Sequence, residues 1–461
     1  MSRSSAAPGP GEPMMMCRVL STLRCAVLMT GVGLAAVSAP AQAQALTRVG
    51  ECLSFTHALQ IAAERAPEIA GAMARQNEAA ADYREAESLR LPQVSTFGRS
   101  ASGDSGLTGS QIENQVGLRL SQRLWDFGDS HYAMAAASST IDQRAYELRA
   151  QQSNASGRLA DAYLTHLEAE AMIDVIADRR AYFERQRASV EALLATGGAT
   201  RADSAQIAAQ LAEAEADALE LGFMRDRAAT RIREYTGYAP GAFCDAEAAA
   251  DDLARSLRGI TTVNDAVDIT LARNPDLAAQ AEAVRVLDAQ RERARRSRLP
   301  VVEAVGIASY VYDDFSETWD ARDRIGVDLS MPLYTGEALQ ARNERAIARM
   351  EQEESGLRSM QRELREQSEI VFRRTISLQA QLIRREAVAR SQYEYFDAIS
   401  GEFEFGLGTL PDLIDARLGY ERAELDVIGA RFSLLRQRLE LMSLTDRMPR
   451  PRDRVDGEVR P

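Results

Sequence analysis

Beyond residue 45 the sequence has no run of about 18 apolar residues, so nothing there reads as a membrane-spanning helix. Aromatic residues make up only 6% of the chain, which is sparse for a large globular core. Histidine occurs three times, at His57, His131 and His166. No metal-ligand spacing, Gly-x-Ser-x-Gly elbow or phosphate loop accompanies them. The chain is therefore not expected to be an enzyme or to hold a metal or other cofactor. Basic residues do not dominate either. Lys and Arg number 55 against 68 Asp and Glu, a formal charge of -13, and this excludes a nucleic-acid footprint. Proline is missing from 93 to 239 and again from 333 to 410.

What is present suits an ordered protein with long helices. Apolar residues are 45% of the chain and charged residues 27%. Alanine, leucine, glutamate, glutamine and arginine dominate. At the N-terminus, Arg18 and Arg24 precede an apolar run from Cys25 to Val37, and Ser38-Ala39-Pro40-Ala41-Gln42-Ala43-Gln44-Ala45 follows. This is the pattern of a cleaved export signal, expected over 1–45. Cys25 lacks the small residues that precede a lipidated cysteine. Cys17 and Cys25 leave with the signal, so Cys52 and Cys244 remain. In an oxidising compartment they form one disulfide; otherwise they are two unpaired buried thiols.

The strongest internal signal is a duplication. Ala58-Leu59 matches Ala266-Val267, each opening an amphipathic run near a candidate cap, Thr56 or Asn264. Ala66-Pro67-Glu68 matches Asn274-Pro275-Asp276. Arg90-Leu91-Pro92 matches Arg298-Leu299-Pro300, and Gly98 matches Gly306, all at one offset. Further on, 118–125 parallels 327–334, and 197–203 parallels 406–412. The chain divides into a first repeat over 46–237, a linker over 238–261, a second repeat over 262–448 and a polar tail over 449–461. Each repeat reads helix, strand, loop, strand, very long helix, tight turn, helix.

The proline-free stretches predict helices from about Ser130 to Ala195 and from about Glu337 to Glu404. At 1.5 Å per residue each reaches roughly 100 Å. Ile141, Leu148, Ala155, Ala162, Ala169, Ile176, Phe183 and Val190 share one heptad position. Met350, Leu357, Leu364, Val371 and Leu378 share another. A strict seven-residue repeat implies left-handed supercoiling. The plainer reading is an ordinary amphipathic stripe.

Strands are expected over about 93–103 and 115–124, and over about 301–312 and 324–333. Val116, Leu118 and Leu120 alternate with polar residues, as do Ile325, Val327 and Leu329. Roughly ten residues of alternation fits a tilted outer-membrane strand; two soluble hairpins packed on helices fit it too. The segments 103–114 and 313–323 are polar and read as joins. Phe97, Trp125, Phe127, Tyr310, Tyr312, Trp319 and Tyr334 lie where interfacial aromatics sit. Four strands cannot close a barrel, and lipid does not tolerate open edges. Two, three or four copies sharing one barrel would supply the closure.

The duplicated pattern resembles the TolC family of outer-membrane factors across nearly all of the mature chain. The residues that carry the resemblance are the two Arg-Leu-Pro steps, Leu120-Ser121-Gln122-Arg123-Leu124-Trp125-Asp126-Phe127-Gly128, its partner at 329–336, and the two glycine-threonine turns. The resemblance implies a mainly α fold with membrane β. Its parts would be a coiled-coil α-barrel and a shared 12-stranded β-barrel built by a homotrimer, seated in outer-membrane lipid and reaching into the periplasm. It implies a passive channel in a tripartite export system, for type I protein secretion or multidrug efflux. The partners would be a periplasmic adaptor and an inner-membrane pump of the ABC or RND type. The competing reading is a soluble periplasmic coiled-coil adaptor or chaperone, which the two-fold repeat fits poorly.

Two groups of positions carry over from the family. Gly197, Gly198 and Thr200, with Gly406, Leu407, Gly408 and Thr409, match the periplasmic tips where adaptors dock. Asp412 and Asp415 match the acidic pair lining the periplasmic entrance, and Asp203 matches an acidic position that helps hold the closed state. Gly408 replaces an arginine of some relatives and Phe403 a tyrosine, so the lock built from those residues is not expected here. Read from the residues alone, Thr200 and Thr409 are N-caps, with Asp203 and Asp412 completing capping boxes. Capping leaves Asp415 unexplained, one turn further along the same face.

Overall fold

The computed structural model describes residues 52–105, 109–237, 243–244, 246–313 and 318–451, with backbone alone at 101–105, 109–113 and 313. The expected leader and most of the expected tail lie outside the described residues. The first repeat contains α1 (Phe55–Arg65), α2 (Pro67–Ser88), β1 (Gln93–Ser105), β2 (Gly109–Trp125), α3 (Asp129–Thr196) and α4 (Arg201–Thr236). After α5 (Ala246–Ser256), the second repeats the series as α6 (Val263–Arg273), α7 (Pro275–Arg296), β3 (Val301–Asp313), β4 (Thr318–Ser330), α8 (Ala338–Glu404) and α9 (Leu410–Leu444).

Each repeat opens with two helices, not one. The cause is Pro67 and Pro275, each the first residue of a new helix. Proline has no N–H to give and restricts the residue before it, so Ala66 and Asn274 leave helical geometry. The caps also differ from expectation. Ser54 and Thr262 serve, not Thr56 and Asn264. Ser54 accepts from the His57 N–H, and Thr262 forms a capping box with Asp265. The stretch read as a linker carries helix α5.

The long helices run 68 and 67 residues. On α3, six of the eight seam positions are buried, from Ala155 to Val190, while Ile141 and Leu148 are half-covered. Toward the strands, neighbours run α2–α3–α7–α8; toward the far end they run α4–α3–α9–α8. A core between the two levels gathers Phe55 and Leu59 of α1, Leu159 and Tyr163 of α3, Leu253 of α5 and Phe432 of α9. Beside it Cys52 and Cys244 are joined sulfur to sulfur, their Cα atoms 5.0 Å apart. Leu53 bridges Phe243 there, and the Tyr163 hydroxyl donates to the Leu53 carbonyl at 2.7 Å.

The strands form one antiparallel sheet in the order β1-β2-β3-β4, so among the described residues β1 and β4 each keep an unpaired edge. The ladder is longer than the hydrophobic alternation. β1 pairs with β2 out to Ser105↔Gly109, and β3 with β4 out to Asp313↔Thr318. Much of the polar segments expected as joins is therefore strand, because main-chain pairing needs no apolar side chain. β4 ends at Ser330, ahead of Pro332. One face exposes Val94, Val116, Leu118, Leu120, Tyr310, Ile325, Val327 and Leu329. Ile325 is 93% exposed. The register puts these residues together: Val94↔Leu120, Val116↔Tyr310, Leu120↔Gly306 and Gly306↔Ile325. The opposite face carries Gln115, Arg119, Arg123, Glu303 and Ser309, with Val305 and Val311 covered among them.

Candidate functional site

The far ends of α3 and α8 turn by the same device. Gly197 has φ 80° and Gly406 φ 73°, the left-handed conformation that glycine adopts without a Cβ penalty. Gly198 N–H donates to the Leu193 carbonyl at 2.7 Å and Gly197 N–H to Leu194 at 3.3 Å. In the second turn Leu407 N–H donates to Glu402 at 2.8 Å and Gly406 N–H to Phe403 at 3.0 Å. Both are Schellman closures, which satisfy the last carbonyls of each long helix. Gly197, Gly198, Thr200, Gly406, Leu407 and Thr409 are exposed, and Gly408 is half-covered. Phe405 and Leu407 project apolar side chains at 83% and 80% exposure, unusual for a soluble turn.

Thr200 and Thr409 then cap α4 and α9. Thr200 Oγ1 accepts from the Asp203 N–H at 3.2 Å, and the Asp203 carboxylate accepts from the Thr200 N–H at 2.8 Å. The Thr200 backbone and hydroxyl bonds hold the Asp203 carboxyl below its ordinary range. In the second copy Thr409 Oγ1 accepts from the Asp412 N–H at 3.4 Å and donates to the Asp412 carboxylate. Asp412 and Asp415 are exposed, while Leu413 and Ile414 between them are buried. The two turns share a core: Val190, Ile207 and Leu211 pack with Leu410, Leu413 and Ile414. The carboxylates therefore ride on a rigid base.

Gly408 stands against Phe403. A Cβ at Gly408 would lie 3.2 Å from the Phe403 nitrogen and 3.3 Å from its Cα. A larger side chain at 408 would displace this contact, and Phe403 has no hydroxyl to bond. Gly408 has no side chain to donate, so neither residue supplies a side-chain hydrogen bond at this turn.

Further from the turns lies a feature that the sequence reading missed. Arg179 of α3 is buried and contacts Asp217 of α4 and Glu421 of α9. Arg417 is buried beside it, its guanidinium 5.2 Å from the Tyr182 ring centre and 5.5 Å from those of Phe396 and Tyr420. Such stacking is favourable when desolvated. Burial pushes the Glu421 carboxyl up despite the attraction of Arg179 and Arg417. Burial also pushes the Tyr182 hydroxyl up to about 12. The signal was present: Arg179 falls between Ile176 and Phe183 at core spacing, as Arg417 and Glu421 follow Ile414 on α9.

Residues 58–238 and 266–446 match the family model described as outer membrane efflux protein. The alkaline protease secretion protein AprF of Pseudomonas aeruginosa is 24% identical over 325 residues, 69% of this chain and 66% of that protein. The proteases secretion protein PrtF of Dickeya chrysanthemi is 28% identical over 203 residues, 43% of each. The matched stretch thus spans just under two thirds of the first and less than half of the second. The crystal structure of the outer membrane protein VceC of Vibrio cholerae superposes with a TM-score of 0.72 at 17% identity, covering 85% of this chain and 96% of that one.

Proposed function

The chain belongs to the outer membrane efflux protein family, and from that membership we propose that it is the channel subunit of a tripartite export system. It crosses the outer membrane, extends into the periplasm and conducts cargo passively. Type I protein secretion is favoured by the names of the two secretion relatives; multidrug efflux is the other service such a channel performs. The observation that carries the reading is the sheet. One face is an apolar band, the other is largely polar, and both outer edges lack a pairing strand. Such edges cannot stand in lipid. Three copies joined β4 to β1 close a 12-stranded barrel, and the same symmetry closes the helices below it.

In that assembly the turns at 197–200 and 406–409 face an adaptor, with Phe405 and Leu407 as apolar contacts. The adaptor links the channel to an inner-membrane pump of the ABC or RND type. Asp412 and Asp415, with Asp203 at the position of the first repeat that corresponds to Asp412, form an acidic entrance. Since Phe403 and Gly408 supply no lock, the Arg179–Glu421 cluster between α3, α4 and α9 takes over the task of holding the turns.

Purification of the mature chain from outer membranes tests this. A detergent-dependent trimer with unitary conductance in planar bilayers is the expected result. A water-soluble monomer would overturn it.

A further inference from the structure

A groove of about 540 Å³ lies between α7 and α8, at the end next to the strands. Arg293 lines it from α7, and Arg342, Arg345 and Arg349 line it from one side of α8. The α8 trio is exposed, and none of the three has a carboxylate within ion-pair distance among the described residues. Three unpaired guanidinium groups on one wall repel one another. Glu344 and Glu353 share this stretch of α8, yet neither reaches ion-pair distance of the trio, unlike Glu369 and Arg373 further along. The trio is not needed to balance the negative end of α7, because its last turn already holds Arg293, Arg295 and Arg296.

A chain of ion pairs links the groove to one face of the sheet. Arg123 lies on the polar face of the sheet, opposite Val116, Leu118 and Leu120. It reaches Asp129 at 3.2 Å and Glu303 at 3.9 Å. Asp129 accepts in turn from Arg293 Nε at 3.0 Å, which neutralises the one carboxylate lining the groove. Asp129, which lines the groove, is thus tied through Arg123 to the polar face of the sheet, the kind of face that lines the lumen of a membrane barrel.

We propose that Arg342, Arg345 and Arg349, with Arg293, form an anion-binding collar at the inner mouth of the strand barrel, taking the carboxylate or phosphate oxyanions of passing cargo. The inference rests on the channel reading. Arginine suits the task because its planar fork meets an oxyanion with two parallel bonds and stays charged at any working pH. Asp412 and Asp415 stand at the other end of the long helices, so the conduit would carry opposite charge at its two ends.

The test uses the mature full-length channel in planar bilayers at low salt. Inorganic phosphate and a decaglutamate peptide are added in turn on the side of the strand hairpins, away from the acidic entrance. Both should reduce the wild-type current, and Arg342→Gln/Arg345→Gln/Arg349→Gln should require about tenfold more of either, the loss of roughly 1.4 kcal/mol. If decaglutamate acts far below phosphate at equal charge, polypeptide carboxylates are the ligand; equal potency assigns a small-oxyanion site. Half-blocking concentrations that match in wild type and variant would overturn the collar while leaving the channel intact. A variant that no longer forms trimers would overturn it too, assigning the arginines to contacts between copies. A wild type without conductance would remove the channel reading and the collar with it.

Discussion

Arg179 Nη1 stands 3.0 Å from Glu421 Oε1, and both side chains are closed off from solvent. The pair ties α3 of the first repeat to α9 of the second. Removing one partner of such a pair strands the other charge in a poor solvent, and that costs about 3–5 kcal/mol. Arg179→Met should destabilise the far-end helices by that order, seen as faster limited proteolysis near the two turns. Arg179→Met/Glu421→Leu should recover part of the loss, since neither charge of the pair is then stranded, while the buried Arg417 loses the Glu421 carboxylate beside it. Equal proteolysis of wild type and Arg179→Met would remove the pair from the holding role.

The same residue sets a pH dependence. Burial raises the Glu421 carboxyl above its ordinary value, so the folded chain binds the proton more tightly than the unfolded one. Its contribution is present below the ordinary glutamate value and is lost as pH rises through the raised one. Asp203 has the opposite sign: its lowered carboxyl stabilises above the ordinary aspartate value and loses that effect as pH falls. Glu421→Gln should flatten the decline in denaturant resistance that sets in as pH rises above the ordinary glutamate value, and leave the loss at falling pH in place. A decline that persists unchanged would assign it to other groups.

Asp412 and Asp415 project from one exposed face of α9 above a buried Leu413-Ile414 step. Six such carboxylates around a three-fold axis should draw cations. At about 6 Å two like charges repel by roughly 3 kcal/mol at an effective dielectric near 20, and multivalent cations relieve this. Asp412→Ala/Asp415→Ala channels should lose cation preference and sensitivity to multivalent block. Reversal potentials in a salt gradient read the first, and titration with a trivalent cation reads the second.

The Cys52–Cys244 bond spans 192 residues of sequence and clamps the strip carrying Leu53 and Phe243 onto Tyr163. Closing so long a loop restricts the unfolded chain, an effect of about 2–4 kcal/mol in typical cases. Cys52→Ser/Cys244→Ser should keep the channel but expose 243–256 to protease sooner. Non-reducing intact mass should show wild type two hydrogens lighter than its reduced form.

Much of the architecture could be read from the residues because its signals are local and repeated. The long helices follow from missing proline, and the turns follow from Gly197, Thr200, Gly406 and Thr409. The lipid-type face follows from alternation at 116–120 and 325–329. What escaped was set by other forces. The ladder from Ala101↔Glu113 to Ser105↔Gly109, and from Ala308↔Asp323 to Asp313↔Thr318, is held by main-chain bonds, which leave no trace in side-chain polarity. The cap at Thr262 lay two residues before Asn264, because Thr-x-x-Asp outcompetes a lone asparagine. Arg179 and Glu421 look like surface charges in one dimension, and only the meeting of α3, α4 and α9 buries them. The Arg342, Arg345 and Arg349 trio was visible as a spacing, yet it gained meaning only when α7 supplied the facing wall.

Neither α3 nor α8 contains a proline, and each runs from the strands to its closing glycine as one helix. A rod without an elbow has no single place to bend. Displacement at its far end must be distributed along its length as a small change in winding against its neighbours. A constraint at mid-height would then be felt at the mouth, so staples placed across α3 and α9 near Arg436 and Glu168 should stiffen the turns some distance away.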